Sequence, residues 1–133
     1  MAGAKAMTHR FKKHYTREEA RGLLPQLREW LERLDELRQR LEGNQDHLGD
    51  LMATGQDLGG EVVNRTLTIV LDMKDVLQKF EQRGIIVKDL RRGLVDFPAI
   101  IGEKEVFLCW EKDEDDVEFW HDMDSGYAGR EPL

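Results

Sequence analysis

The chain has 133 residues, of which 40% are hydrophobic and 35% are charged, and its formal net charge is -7. This length predicts a single domain over residues 1–133. The acidic balance disfavours nucleic acid and anionic membranes as partners, because binding to either requires an excess of Lys and Arg. No apolar run reaches the length of a membrane span and no secretory signal pattern begins the chain, so we expect a cytoplasmic protein.

Cysteine usage and the placement of charge add two expectations. The lone Cys109 cannot form a disulfide within the chain and lies in an apolar run, which indicates a buried structural thiol in a reducing compartment. Residues 1–15 carry four basic side chains and no acid, whereas residues 111–124 carry eight carboxylates and one lysine. This asymmetry allows a contact between the two segments, within one chain or between two copies.

The first predicted element is a long helix over residues 17–54. It begins at Thr16-Arg-Glu-Glu19, a capping box in which the Thr16 and Glu19 side chains satisfy each other's backbone N–H groups. Apolar residues then recur three or four positions apart, which is the period of one helix face. The stripe consists of Ala20, Leu23, Leu27, Trp30, Leu34, Leu37, Leu41, Leu48 and Leu51. Gly43 is expected to be a weak point of this helix.

A second helix is predicted over residues 61–83. Gly55, Gly59 and Gly60 precede it where the chain would reverse, and Gly84 follows it in the position of a left-handed cap. Its apolar residues form two columns, Val63, Leu67, Val70, Met73, Leu77 and Phe80, and beside them Val62, Ile69 and Val76. Because this stripe is wider than one partner helix can cover, we expect the hairpin to pack on a sheet, on a second copy of itself, or on both.

The pattern after Gly84 changes to extended chain. Strands are predicted at residues 85–90, 94–101, 105–111 and 117–123, and the short turns between them make an antiparallel meander. Phe11 and Tyr15 alternate with basic residues and are compatible with one further short strand. Pro98 is expected on an edge strand or at a bulge, because proline has no N–H to donate. Residues 125–133 are expected to be an ordered loop.

The predicted fold class is therefore α+β. A long antiparallel helical hairpin, within residues 11–84, packs on a small antiparallel β-meander of three to five strands. The sheet and the ordered C-terminal tail occupy residues 85–133.

Several motifs together resemble a known family. They are Thr16-x-x-Glu19-Ala20, Gly22-Leu-Leu-Pro25, Val87-Lys-Asp-Leu90 after Gly84, Gly93-Leu-Val-Asp-Phe-Pro98, Leu108-Cys-Trp110, Trp120-His121 and Gly126-Tyr-Ala-Gly-Arg130. Over residues 11–133 the chain resembles the bacterial and archaeal domain-of-unknown-function family numbered 2203. The resemblance implies a bacterial or archaeal origin and a single domain. It brings no assigned activity and therefore no catalytic residues.

His121, Asp122 and Asp124 are candidate metal ligands, because imidazole and carboxylate together suit Zn, Mn or Fe. Asp96 or His14 would complete a set with His121. Strand alternation opposes this hypothesis, since His121 and Asp122 point to opposite faces of an extended strand. The alternative is a structural His121 hydrogen-bonded to a carboxylate.

Lys88, Asp96, Tyr127 and Arg130 are candidate ligand-binding residues. Asp96 lies between Val95 and Phe97, where burial beside a partner would shift its pKa toward acid–base use. The alternative is a buried Asp96 paired with Lys88 or Arg130, with Tyr127 and Arg130 anchoring the tail. Cys109 shows no spacing to a histidine that indicates a nucleophile.

Two hypotheses of function follow. The first is a non-enzymatic module that self-associates, or binds an unidentified protein partner, through the helical hairpin, with a homodimer expected. The second is a metal-binding or small-ligand-binding protein, with hydrolysis as its further option, whose site includes Asp96, His121, Asp122, Asp124 and Arg130. No cofactor is expected under the first hypothesis, and a divalent metal fits the second.

Overall fold

The computed structural model describes residues 9–55 and 60–133, and it has the predicted α+β class. The elements are helices α1 (Arg17–Ala53) and α2 (Gly60–Gln82), strands β1 (Ile86–Asp89), β2 (Leu94–Ile101), β3 (Lys104–Glu111), β4 (Phe119–Asp122) and β5 (Glu131–Pro132), and a 3-10 turn at Tyr127–Gly129. The five strands form one antiparallel sheet in the order β1-β2-β3-β4-β5, which is the predicted meander. Neither helix in the described ranges combines the length and the apolar content that a membrane crossing requires.

The capping box at the start of α1 is confirmed. The N–H of Glu19 donates to Oγ1 of Thr16 at 3.1 Å, and the N–H of Thr16 donates to Oε1 of Glu19 at 3.0 Å. These two bonds satisfy donors that have no partner inside the helix. From there α1 continues through Gly43 without a break and ends at Ala53, one residue before the predicted end.

The two helices pack as an antiparallel hairpin. The Trp30 ring lies 5.3 Å from the Phe80 ring, far from the connection, while Nδ2 of Asn44 donates to Oγ1 of Thr66 at 3.3 Å, nearer to it. The predicted reversal begins at Gly55, which has a φ of 71°, and Gly60 starts α2. Gly59, the third glycine of that prediction, lies outside the described residues.

One face of the sheet packs on the hairpin and forms the core with it. The strand residues on this face are Val95, Phe97, Ala99, Val106, Leu108 and Trp110, and they join Leu24, Leu27, Leu31, Leu34, Val76 and Phe80 of the helices in one buried cluster. Side chains along a strand alternate between faces, so this set fixes which residues point away from the helices.

The prediction of a further short strand at Phe11 and Tyr15 was wrong. Among the described residues before α1 no strand forms, and the segment makes a single sheet-like bond, from the N–H of Tyr15 to the carbonyl of Pro98 at 2.7 Å. Pro98 has no N–H with which to return a bond, so an antiparallel ladder cannot start there. β1 pairs with β2 only at Leu94–Asp96, so at Pro98 that side of β2 has no neighbouring strand. Such an edge tolerates proline, which has no N–H to donate to a partner strand.

The C-terminal tail was predicted as a loop, and part of it is a strand. β5 pairs with β4, placing Pro132 opposite Phe119 and Glu131 opposite Trp120. The N–H of Leu133 also donates to the carbonyl of Glu118 at 2.8 Å. A two-residue strand that contains proline has no alternating apolar pattern, and its pairing depends on the neighbouring strand rather than on its own propensity.

A pair of glycine substitutions tests the helix ends against the helix interior. Gly84 has a φ of 68°, and a Cβ there would make only ordinary contact with Lys13 at 3.6 Å, so Gly84→Ala should lower the free energy of unfolding by about 1–2 kcal/mol through backbone strain alone. Gly43 lies inside α1 with nothing within 4 Å of an added Cβ. Gly43→Ala should therefore raise the free energy of unfolding by about 0.5–1 kcal/mol. Urea unfolding of both variants measures the difference, and equal effects would contradict it.

Candidate functional site

The sheet's second face, the outer face, carries two of the polar residues that the sequence singles out, Asp96 and His121. Alternation places Asp96, Phe107, Cys109, Phe119 and His121 on it. The strand register puts Asp96 opposite Cys109 and Cys109 opposite Phe119, and it puts Phe107 opposite His121. Asp96, Cys109 and Phe119 therefore form one row across β2, β3 and β4. Phe107 and His121 form the adjacent row on β3 and β4.

The described segment before α1 and the C-terminal tail cover the outer face. The Phe11 ring packs edge-on against the Phe107 ring at 5.5 Å, and the Arg130 guanidinium lies 3.7 Å from the centre of the Phe119 ring. Beneath them His121 is 2% exposed, Asp96 1% and Cys109 0%. The outer face is therefore a second buried layer, although neither α1 nor α2 packs on it.

Asp96 and His121 meet above β3. Their strands are two apart in the sheet, about 9.5 Å, and the small Cys109 side chain between them leaves room for the imidazole and the carboxylate to meet. Nε2 of His121 lies 3.0 Å from Oδ1 and 3.1 Å from Oδ2 of Asp96, and Nδ1 lies 2.7 Å from the carbonyl oxygen of Asp122. Because a carbonyl oxygen only accepts, Nδ1 must carry a hydrogen and donate it.

The environment shifts two pKa values in this cluster. Burial raises the pKa of Asp96 above its usual value, and the hydrogen bond and charge of His121 offset part of that shift. Burial, followed by the nearby Asp96 carboxylate, raises the pKa of Cys109 to about 12. Cys109 is thus a protonated thiol at neutral pH, and both ring nitrogens of His121 already have partners, so the geometry favours a structural thiol over a nucleophile.

The other proposed metal ligands lie elsewhere. Oδ1 of Asp122 pairs with Nζ of Lys104 at 2.5 Å, and the exposed Asp124 pairs with Arg10 at 3.4 Å. Nε2 of His14 lies 2.7 Å from Oε2 of Glu105, not near His121. The structure therefore joins Asp96 to His121 and separates both from the remaining three. The Arg10–Asp124 pair also gives one intramolecular contact between the basic and acidic segments.

The candidate ligand-binding residues surround the cluster rather than joining it. Lys88 occupies the register irregularity in β1, with Nζ 5.7 Å from the Phe107 ring centre, and the Tyr127 hydroxyl donates to Oε2 of Glu111 at 3.4 Å. Arg130 forms an ion pair with Glu114, and its Nη1 lies 3.9 Å from Sγ of Cys109. The expectation that Asp96 pairs with Lys88 or Arg130 was wrong, since its hydrogen-bond partner is His121.

Two groups of potential metal-ligand residues were not found from the sequence. Cys109 lies with Asp96 and His121, and the ligand atoms of these three residues are all within 4.8 Å of one another. His9, His14 and Glu105 form a similar but more exposed group. Glu105 already accepts from His14 and from the N–H groups of Arg10 and Phe11, so its oxygens hold the N-terminal segment on β3.

The surface of α2 carries a run of exposed apolar side chains, the α2 stripe. Its members are Val63, Leu67, Val70, Leu71 and Leu77, and each is between 37% and 54% exposed. They lie on the side of α2 away from the buried Val62, Ile69, Val76 and Phe80. The predicted surplus of apolar helix surface is therefore found on the second helix.

Fold and site together define an α+β protein with a helical hairpin on one face of a five-stranded meander and a closed Asp–His–Cys cluster on the other. The chain belongs to the DUF2203 family, described as an uncharacterized conserved protein, whose model matches residues 13–133. The resemblance found in the sequence is thus confirmed. Comparison with curated proteins and with solved structures gives no significant match.

Arg130 is expected to hold the C-terminal tail on the outer face. It stacks on Phe119 and pairs with Glu114 while only 11% exposed, so Arg130→Ala should lower the free energy of unfolding by about 1–3 kcal/mol and speed hydrogen exchange in β5. Arg91 pairs with Glu42 but is 72% exposed, so Arg91→Ala should change stability by less than about 0.5 kcal/mol. If the two variants behave alike in urea unfolding, Arg130 has no such role.

Glu105 should give acid sensitivity to the N-terminal segment. Burial raises its pKa, but hydrogen bonds from His14 and from the backbone of Arg10 and Phe11 outweigh burial, so the pKa lies below its usual value. The folded-state pKa is then lower than the unfolded one, and the stabilisation is complete above the usual Glu pKa of about 4.3 and lost as pH falls through the folded pKa.

Urea unfolding at a series of pH values measures this effect. The free energy of unfolding should fall more steeply below about pH 4.3 in the wild type than in Glu105→Gln, which has no proton to gain. Parallel curves for the two proteins through that range would show that Glu105 does not carry the acid response.

Proposed function

We propose that this protein is a non-enzymatic self-associating module and that its α2 stripe binds the same stripe of a second copy. The observation that carries this proposal is the exposure of Val63, Leu67, Val70, Leu71 and Leu77 along one side of α2. Five large apolar side chains in a row on one helix are more than scattered surface residues provide, and such patches mark interaction sites.

The spacing of the stripe supports a helix as the partner. Val63, Leu67, Val70, Lys74 and Leu77 follow one another at intervals of four, three, four and three residues, which is the period of a seam between two helices. Lys74 interrupts the apolar row, and its long stem can cover apolar surface while its charge stays in water. Such a single polar position in a seam typically sets alignment at some cost in stability.

The charge of the stripe supports a second copy as the occupant. The whole chain carries a net charge of -7, so two copies repel each other on average. Residues 63–77 contain Arg65 and Lys74 against Asp72 and Asp75, so this part of α2 is formally neutral. Two identical surfaces can meet there without the repulsion expected elsewhere on the molecule.

The size of the stripe implies that α1 also takes part. From Val63 to Leu77 the helix rises about 21 Å, and one helix face of that length falls short of the roughly 800 Å² that each partner buries in a stable interface. Met52 near the end of α1 is 63% exposed and offers further apolar surface on the same hairpin.

The free, buried thiol of Cys109 is consistent with the cytoplasm as the compartment.

The test replaces two apolar residues of the α2 stripe with glutamate. The double variant Leu67→Glu, Val70→Glu should be monomeric, because a dimer would have to bury four unpaired carboxylates, whereas the wild type should be a dimer at micromolar concentration. Light scattering after size-exclusion chromatography and analytical ultracentrifugation measure the mass. Circular dichroism checks that both proteins keep their helices.

Thr68→Glu is the matched control. Thr68 is an exposed polar residue of the same helix, outside the stripe, so the variant adds negative charge to α2 and should remain a dimer. A wild type that stays monomeric at tens of micromolar, or a Thr68→Glu variant that dissociates as fully as the stripe variant, would refute self-association through the stripe.

A further inference from the structure

We propose that Asp96, Cys109 and His121 form a buried structural site for a divalent cation of the zinc type. These residues offer a carboxylate, a sulfur and an imidazole nitrogen, which is a donor set that suits zinc. Their ligand atoms all lie within 4.8 Å of one another. The site lies on the outer face of the sheet, so this proposal does not depend on self-association through α2.

The orientation of His121 requires a proton or a metal ion beside Nε2. Nδ1 must donate its hydrogen to the carbonyl oxygen of Asp122, so a neutral imidazole turns the lone pair of Nε2 toward the Asp96 carboxylate. A lone pair and a carboxylate 3.0 Å apart repel each other in a dry interior unless a positive charge lies between them. That charge is either a shared proton or a metal ion.

The carboxylate geometry favours an ion over a single proton. Nε2 is nearly equidistant from the two Asp96 oxygens, at 3.0 and 3.1 Å, whereas one proton is best served by a linear bond to one of them. A cation in front of the carboxylate can use both oxygens. Sγ of Cys109 lies beside them and gives a metal ion a third type of ligand atom.

The distances allow an ion with only side-chain adjustment. Zinc bonds of about 2.0–2.1 Å to nitrogen and oxygen and about 2.3 Å to sulfur put tetrahedral donors roughly 3.3–3.6 Å apart. Nε2 of His121 and the Asp96 oxygens are 3.0–3.1 Å apart, and all three ligand atoms lie within 4.8 Å of one another. The three residues stand on strands β2, β3 and β4, whose register is fixed by the sheet. Binding would release the thiol proton of Cys109, as at other cysteine sites.

The surroundings match a structural site rather than a catalytic one. The hydrogen bond from Nδ1 of His121 to a backbone carbonyl is the outer contact that metal-bound histidines usually make. A divalent ion with one carboxylate, one thiolate and a neutral imidazole has no net charge, which suits a site whose members are at most 2% exposed. The buried side chains close the site to bulk solvent, whereas a catalytic zinc site keeps a position open to water.

The test measures metal on the full chain. The wild type is refolded with excess zinc, dialysed and analysed for metal, and a parallel sample is loaded with cobalt, whose thiolate complexes absorb in the near ultraviolet. We expect one ion per chain and a cobalt–thiolate band in the wild type. Cys109→Ala removes one ligand from a position where alanine fits, so it should lose the band and bind zinc at least about 100-fold more weakly.

His14→Gln is the control, because it alters the His9–His14–Glu105 group and leaves the buried cluster intact. It should bind zinc as the wild type does. Circular dichroism establishes that each variant is folded before its metal is compared. A folded wild type that keeps no zinc or cobalt after refolding would leave a proton as the occupant and overturn the proposal. Metal lost from His14→Gln but kept by Cys109→Ala would overturn it as well.

Discussion

The pairing of β2 with β3 is the constraint on which the rest of the structure depends. The register that places Asp96 opposite Cys109 also sends Val95 and Phe97 to the helices, because successive side chains point to opposite faces. A slip of one residue would turn Asp96 toward the core and Phe97 toward the outer face. The turn between the strands fixes the register, since Gly102 has a φ of 64° and begins a two-residue connection that pairs Ile101 with Lys104.

The helices could be predicted from the sequence because their signals are local. The capping box at Thr16, the period of the apolar stripe and the left-handed Gly84 place both helices within one residue of their observed ends. The register of the sheet could not be predicted with the same precision. A turn of three residues, 102–104, would have put Asp96 opposite Trp110 instead of Cys109, and this one-residue difference concealed the third member of the cluster.

The contact between Asp96 and His121 lies beyond what local patterns can show. It joins β2 to β4 across an intervening strand, and it exists because Cys109 is small and because the segment around Phe11 and the C-terminal tail cover the outer face. The sequence indicated the residue types and the buried thiol. Only the order of the strands shows that His121 meets Asp96 while Asp122, its neighbour, pairs with Lys104 on the other side of β4.

The core of the protein lies between the two surfaces of interest, the α2 stripe and the Asp–His–Cys cluster. The α2 stripe faces away from the residues that α2 buries, and the Asp–His–Cys cluster faces away from the sheet residues packed on the hairpin. A charge placed on the stripe therefore has no path of contacts to the cluster other than through well-packed core residues such as Phe80 and Phe97. Coupling through such a core requires an element that has two discrete arrangements. The proposed self-association and the proposed cation binding are therefore independent of each other, and a result on either surface leaves the other to be decided on its own chemistry.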